Sequence, residues 1–373
     1  MNVVSLGARA IPNVEGGAEK NAEMIFPRIA QRHRVTLLCL SKFVTTTNFK
    51  DVHIVPVSSF SGFGTDKFSY YLICIFEIFR RRPDIIHCQG LNAAIFLFLY
   101  KLISSKIVVR YGSADYLNKK WGPIGRLGFR LCEWQLRLAD AVIAVTPSLR
   151  DRLIDRGVTD RVVVIPNAID PVEETPAAAA PAALGLEPGR FVLSVGRVTW
   201  QKDYETLLSA FAAAKARRPD IGKLVIVGGD DGSGYLQKLE DMGVRDVVFA
   251  GRLPRSDVAA FYAHCALYVN SSVHEGLSNA ILEAVSHRAP LVLSDIVENR
   301  DLPLEAHHFF PTGDADALAG RMLAALDAPA AFRVDLGKFF DWDEVAARTM
   351  ALYDLVMAGG RPGRPAPTVF REP

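Results

Sequence analysis

Glu275 and Glu283 stand eight residues apart in the stretch HEGLSNAILE, residues 274–283. On one continuous helix that spacing would separate them by about 12 Å along the axis, too far to hold one small sugar between them. Gly276 and the Ser278–Asn279 pair read instead as a helix entry, with Ser278 or Asn279 as N-cap. Glu275 then lies in the preceding loop and Glu283 in the first or second turn. The backbone N–H groups from Leu277 to Asn279, at the positive end of the helix dipole, make an anion site. A molecule with phosphate in its middle and a hydroxylated ring at each end, such as a nucleotide-sugar, suits that layout. An ordinary capped helix with two solvent-facing glutamates is the plain alternative for this stretch taken alone.

A second segment, VLSVGRVTWQKDYETLLSAF (192–211), runs from an apolar strand through a glycine to Arg197 and Lys202 and then into an amphipathic helix. Its apolar face is Leu207, Leu208, Phe211 and Ala214. Two cations at the carboxyl tip of a strand are placed to neutralise a diphosphate; a solvated loop is the competing reading. A third segment, PNVEGGAEKNAEMIFPRIA (12–30), puts Gly16 and Gly17 between the first strand and a helix, where backbone can approach a phosphate. No GxGxxG and no GxxxxGK[ST] occurs, so dinucleotide-oxidoreductase and P-loop readings lose their main support.

The elements that must position these residues are short β-branched runs separated by helix-length segments. They fall at 2–7, 34–40, 53–57, 84–89, 106–111, 141–146 and 162–167, and again at 191–196, 223–229, 247–251, 266–270, 290–295 and 307–312. Runs this apolar are buried on both faces, as in parallel sheets covered by helices. The fold class expected is α/β, with two doubly wound Rossmann-like domains whose ligand edges face one cleft. The expected boundaries are an N-terminal domain 1–170, a Pro/Ala-rich linker 171–189, a C-terminal domain 190–341, a helix 342–358 crossing back to the first domain, and a disordered tail 359–373.

A chain of 373 residues, half of them hydrophobic, is long enough for two cores. Residues 1–180 carry 23 Lys+Arg against 16 Asp+Glu, while the rest reverses the balance with 20 against 25, so the halves suit different partners. Five scattered cysteines with no CxxC pair read as reduced thiols of a cytoplasmic protein. The start lacks a signal-peptide plan, and the longest uncharged apolar stretch, 91–100, is about half of a membrane span.

Together these segments resemble the retaining glycosyltransferases of family 4, which have the two-domain GT-B fold. EGLSNAILE matches the E-x7-E motif, and VGRVTWQKD the G-R-x4-K segment with Asp203 in place of the usual glycine. PNVEGGAE matches the N-terminal Gly-Gly turn, and VVVIPNAID the linker strand with Ala168 for Gly. The resemblance runs over about residues 1–358, and the start LGARAIPNVEGGAE is similar to the bacterial exopolysaccharide and rhamnosyltransferase-like subgroup. It implies a nucleoside-diphosphate-sugar as substrate, no separate cofactor and no metal. Arg197 and Lys202 would stabilise the departing diphosphate and Glu275 would hold the donor sugar. Glu283 would bind the ribose, Gly276, Leu277, Ser278 and Asn279 the phosphates, and backbone near Leu253 the base. Gly16 and Gly17 would complete the donor site. On the acceptor side lie Tyr111, where many members carry a histidine, and His87, which also reads as a structural histidine at a strand end. The acceptor expected is a polyprenyl-diphosphate-linked glycan. A nucleotide-sugar epimerase on the same fold and a non-catalytic sugar-nucleotide-binding subunit are the alternatives.

Two further features need a reading. The pairs Asp314/Asp316 and Asp341/Asp343 resemble metal ligands, but both open helices, so capping explains them. In IGRLGFRLCEWQLRLAD (124–140), Leu127, Leu131, Trp134 and Leu138 fall at core spacing, with Arg126, Arg130 and Arg137 in the adjacent stripe. These arginines, with Arg80, Arg81 and Arg82, suit either contact with an anionic membrane at the inner face of the cell or a plain solvated face. No aromatic-interleaved basic pattern suggests nucleic acid.

Overall fold

A computed structural model describes every residue except 61–65, 104, 114–121, 171, 173 and 363–373. The described chain divides into two units: Met1–Ala168 with the residues from Phe340 on, and Ile169–Phe339. The tail expected over 359–373 lies mostly outside the described residues.

The first unit's sheet contains β1 (Asn2–Leu6), β2 (Arg34–Leu40), β3 (Asn48–Phe49), β4 (Val52–Val57), β5 (Ile85–Gln89), β6 (Lys106–Tyr111), β7 (Ala141–Ala144) and β8 (Val162–Val164). Their order is β3-β4-β2-β1-β5-β6-β7-β8, parallel except for the β3–β4 pair. The second unit's sheet contains β9 (Val192–Val195), β10 (Leu224–Val227), β11 (Val247–Gly251), β12 (Leu267–Asn270), β13 (Leu291–Ser294) and β14 (Phe309–Phe310). Its order is β11-β10-β9-β12-β13-β14, all parallel. Apart from the two-residue β3, each strand falls in one of the apolar runs. In both sheets the chain order reverses once, between β1 and β5 and between β9 and β12. Such switch points open ligand crevices beyond the carboxyl ends of the strands.

The helix Tyr204–Arg217 buries Leu207, Leu208, Phe211 and Ala214, as the periodicity predicts. The last helix, Trp342–Met357, buries Trp342, Val345, Leu352, Tyr353 and Val356 among Val3, Phe26 and Ile54 in the first unit's core. It packs on the helix Gly17–Ala30, and Arg28 Nε lies 2.5 Å from Asp343 Oδ1. Asp341 caps it in a reciprocal box with Glu344, and Asp314 accepts from Ala317 N at 2.9 Å to cap the helix Ala315–Asp327. All five cysteines are buried free thiols; burial pushes Cys39 up to about 12, which keeps it unreactive.

One sequence expectation, a partly ordered linker, gains detail, and another changes. The segment read as a linker contains a short helix, Ala179–Ala183, that buries Pro181 and packs on the helix Arg255–His264, whose His264 Nε2 lies 2.7 Å from the Pro176 carbonyl. Five residues are too few to show a helical period. The second is the basic helix, which spans Pro123–Gln135. Its Leu127, Leu131 and Trp134 face outward rather than into the core, while Cys132 and Leu136 are buried.

At the carboxyl edge of the second sheet the backbones are laced tightly. Gly196 N donates to Val227 O at 2.9 Å, Gly228 N to Gly251 O at 2.9 Å, and Val198 N to Gly229 O at 2.9 Å. Gly228 sits at φ +155, and a Cβ there would run into the Gly196 carbonyl. Gly228→Ala should therefore cost about 1–3 kcal/mol, the usual size of local backbone strain. Urea denaturation checks this, and an unchanged midpoint would show that the edge gives way easily.

Candidate active site

β9 ends at Val195 and β12 at Asn270, so the two loops that follow leave neighbouring strands at the second unit's switch point. They are stitched together: Val273 N donates to Gln201 O at 2.9 Å, Gln201 Nε2 to His274 O at 2.8 Å, and Ser271 Oγ to Lys202 O at 2.7 Å. The stitching brings Lys202 Nζ against Glu275 Oε1 in a buried ion pair. Ser272 Oγ donates to the same carboxylate oxygen at 2.7 Å. Ser294 Oγ in turn donates to Ser272 O at 2.6 Å, and Asn299 Nδ2 to Ser294 O at 3.0 Å.

Burial raises the Glu275 carboxyl, but the Lys202 ammonium and hydrogen bonds from Ser272 and Asn270 outweigh it and hold the group below its usual range. It is therefore ionised at neutral pH. Sequence reasoning assigned Glu275 to sugar hydroxyls and Lys202 to a diphosphate; it missed that each holds the other. It also missed Ser271, Ser272, Gln201, Ser294 and Asn299. Two small hydroxyls directly after a strand, in NSSVHEG, were the available signal.

Lys202 crosses over Gly196, where a Cβ would come within 2.7 Å of its Cε. Tyr204 Oη donates to Gly196 O at 3.0 Å and steadies the same turn. Arg197 is exposed and makes no ion pair or hydrogen bond among the described residues, so it is available to a ligand. Asp203, the departure from the family's glycine, adopts φ 47, ψ 50 and its side chain caps Thr206 N at 3.4 Å. A left-handed backbone explains why glycine suits this position, and Asp is among the few residues that tolerate it.

The helix of the opening stretch spans Asn279–Ser286, with Ser278 as its extended N-cap; the Ser278 side chain makes no capping bond. Glu275 thus lies in the loop before the helix and Glu283 in its second turn. Leu277 and Ser278 are buried, while Gly276, Asn279 and Glu283 are half-buried. Burial, and then the charge of Glu283, push the Tyr262 phenol well above its usual value, which places that carboxylate beside Tyr262. Leu253, half-buried, follows β11 at the same carboxyl edge.

The first unit holds the remaining candidates. Gly16 (φ 134) is the N-cap of the helix Gly17–Ala30, and a Cβ on it would run into the Glu19 carboxylate. Arg9 donates to that carboxylate through Nε at 2.8 Å and through its backbone N at 3.1 Å. The Gly16–Gly17 turn thus makes room for a carboxylate of its own helix. Tyr111 does not present its hydroxyl to solvent. It is fully buried at the end of β6 and donates to Glu133 Oε1 at 2.7 Å, while Arg156 pairs with Glu133 Oε2 at 2.8 Å. His87 is likewise internal, with Nδ1 2.5 Å from Tyr353 Oη and its ring edge-on to Phe26. Burial and then Arg110 push its pKa down to about 3, so it stays neutral. Both side chains are thus internal: the Tyr111 hydroxyl and His87 Nδ1 meet partners inside the unit, while His87 Nε2 is buried with no hydrogen-bond partner among the described residues.

A family model described as Glycosyltransferase Family 4 matches residues 15–173, and one described as Glycosyl transferases group 1 matches residues 189–328. The chain belongs to the family 4 glycosyltransferases. This family member is 29% identical, over 57% of its length and 56% of the relative's, to the lipopolysaccharide core biosynthesis glycosyltransferase LpsE of Rhizobium meliloti. It spans only about two-fifths to three-fifths of the length of the first curated relatives it matches. Its fold is similar to that of sucrose-phosphate synthase from Thermosynechococcus elongatus, with a TM-score of 0.78 at 20% identity over 96% of this chain and 99% of that one. The Anabaena HepE protein, solved in complex with UDP-glucose, superposes with a TM-score of 0.73 at 17% identity over 96% and 98% of the two chains. The architecture is thus two parallel-sheet α/β domains of the GT-B type.

The Asp203 geometry yields a paired expectation. Asp203→Ala should destabilise the protein by about 1–2 kcal/mol, through the lost cap and the left-handed backbone. Asp203→Gly should restore most of that, since glycine keeps the backbone free and replaces a cap at small cost. Thermal unfolding of the two variants side by side is the check; equal losses would show that the cap alone matters.

Proposed function

We propose that the chain moves a sugar from a nucleoside-diphosphate-sugar to a polyprenyl-diphosphate-linked glycan in bacterial surface or exopolysaccharide synthesis. The transfer retains the anomeric configuration and uses no divalent metal. The observation that carries the reading is the buried Lys202–Glu275 pair at the β9–β12 switch point, with exposed Arg197 beside it and a helix N-terminus following. The likeness to LpsE, a lipopolysaccharide core biosynthesis glycosyltransferase, supports a role in bacterial surface glycan synthesis, and the nucleotide-sugar bound by HepE supports the donor class.

In this reading the bond from the sugar's anomeric carbon to the diphosphate breaks as the acceptor hydroxyl bonds to the same face of that carbon. The hydroxyl proton passes to the departing diphosphate oxygen. Among the described residues no second carboxylate is placed as a nucleophile, so a front-face course is expected rather than a covalent intermediate. Lys202 and Arg197 offset the charge that develops on the leaving group. When the diphosphate draws on Lys202, Glu275 stays anchored by Ser272 and accepts from the donor's sugar hydroxyls. Glu283 holds the ribose, and the backbone from Gly276 to Asn279 meets the phosphates.

Lys202→Ala and Arg197→Ala should each lower donor turnover by about 10²-fold or more. Glu283→Gln should mainly weaken UDP or GDP binding, by roughly 1.5–3 kcal/mol for a hydrogen bond to a charged group. Glu275→Gln should lower turnover more than nucleotide affinity, because free nucleotide lacks the sugar. Titration calorimetry with UDP and GDP beside turnover assays separates these outcomes. Near-normal turnover in both cation variants would remove the diphosphate assignment, and equal loss of nucleotide binding in both glutamate variants would remove the division of labour.

Chelation should leave most activity intact, because side-chain cations and a helix end handle the leaving-group charge. Complete loss in EDTA, restored by Mg²⁺ or Mn²⁺, would sink the metal-free reading.

A further inference from the structure

Among the described residues, all six strongly exposed Phe and Trp side chains lie on the first unit between residues 60 and 134: Phe60, Phe68, Phe76, Phe79, Phe98 and Trp134. On the helix Asp66–Arg81, Phe68, Leu72, Phe76 and Phe79 recur at spacings of four, four and three, which is one outward stripe, while Tyr70, Tyr71, Cys74 and Ile78 fill the inward one. This helix is apolar on both sides. A helix of that kind needs a second apolar neighbour. Phe76 is nevertheless 71% exposed.

The stripe is continued by its neighbours. Phe68 packs on Phe96 with ring centroids 5.4 Å apart, and Phe96 lies 6.5 Å from Phe98. Phe98 N donates to Gln135 Oε1 at 3.2 Å, which joins this surface to the helix Pro123–Gln135. There Leu127 is 68% exposed, and Leu131 and Trp134 are also exposed. An apolar patch of this extent marks an interaction site.

Its charge identifies the partner. Arg126, Arg130 and Arg137 flank the Leu127–Leu131–Trp134 stripe, and Arg137 stacks over the Trp134 ring at 4.9 Å. Arg80, Arg81 and Arg82 end the other helix. The carboxylates on the same helices leave a positive excess: Glu133 is turned inward to Tyr111 and Arg156, and the single carboxylate of Glu77 is shared by both Arg80 and Arg81. Asp66 is paired with Lys42. Apolar and aromatic side chains rimmed by arginines are the composition that seats in the headgroup–acyl boundary of an anionic bilayer. A protein partner with a wholly apolar face would leave the arginines unmatched.

We infer that this face of the first unit, built from the helices Asp66–Arg81 and Pro123–Gln135 and the turn between Leu91 and Tyr100, docks on an anionic lipid bilayer by inserting Phe76, Leu127 and Leu131 between arginines that meet the headgroups. The inference stands whichever sugar the enzyme transfers.

The test is flotation of the full chain with phosphatidylglycerol-containing vesicles and with pure phosphatidylcholine vesicles, read together with tryptophan emission. Binding to the anionic vesicles alone is expected, with a blue shift that Trp134→Phe abolishes. Phe76→Ser combined with Leu127→Ser should lower the partition coefficient at least tenfold, and Arg126→Gln with Arg130→Gln should lower it further at low salt. Affinity for UDP and GDP should stay unchanged in all of these variants, so loss of docking is told apart from failure of the donor site. Equal binding to neutral vesicles would overturn the inference, as would binding untouched by the serine variants. A soluble dimer that those variants dissolve, with no vesicle binding, would assign the face to a second copy of the chain.

Discussion

A buried carboxylate survives only with compensation, and in the second unit that compensation organises the site. Glu275 keeps its charge because Lys202 and Ser272 meet it on one oxygen. Losing one partner of such a pair leaves an isolated buried charge, which is far more costly than the pair is favourable. The two loops that carry these residues are therefore bound to one relative placement, and the Gln201, Ser271 and Val273 hydrogen bonds follow from it. The same constraint accounts for Gly196, over which the Lys202 chain runs, and for Ser294 and Asn299, which orient Ser272 from behind.

The first unit treats its polar groups differently. Its switch-point strands carry His87 and Gln89, and the neighbouring β6 ends in Arg110 and Tyr111; all four are buried with at least one partner within the unit, though His87 Nε2 and Gln89 Oε1 have none among the described residues. Arg110 donates to Asn167 Oδ1 at 2.7 Å; Asn21 Nδ2 donates to the same oxygen at 3.2 Å, and Gln89 Nε2 to Asn21 Oδ1 at 3.0 Å. This network ties the first helix and β5 to the last residues before the second unit begins at Ile169. Among the described residues, the helices Asp66–Arg81 and Pro123–Gln135 expose apolar and arginine side chains instead.

Much of the architecture was legible in the residues themselves. Strands buried on both faces are written as unbroken apolar runs, and thirteen of them could be placed without any coordinates. The helix entry at Ser278, the caps at Asp314 and Asp341 and the apolar face of Tyr204–Arg217 were legible for the same reason: their determinants lie within one or two turns of chain. So was the family, because its motifs are local.

Tertiary structure alone decided what spans distance or direction. Lys202 and Glu275 are 73 residues apart, and only the β9–β12 pairing makes them neighbours. The turning inward of Tyr111 and His87 depends on Glu133 and Tyr353, which reach them from other elements. Periodicity showed that the helix at 123–135 has an apolar stripe at Leu127, Leu131 and Trp134, but a helix with apolar residues on two faces does not say which one meets the core. Packing against the turn at 91–96 settled that by burying Cys132 and leaving the leucines outside. Local sequence determines the elements and their caps because those energies are summed over neighbouring residues. The pairing of charges and the facing of stripes are set by contacts made only when the sheets assemble.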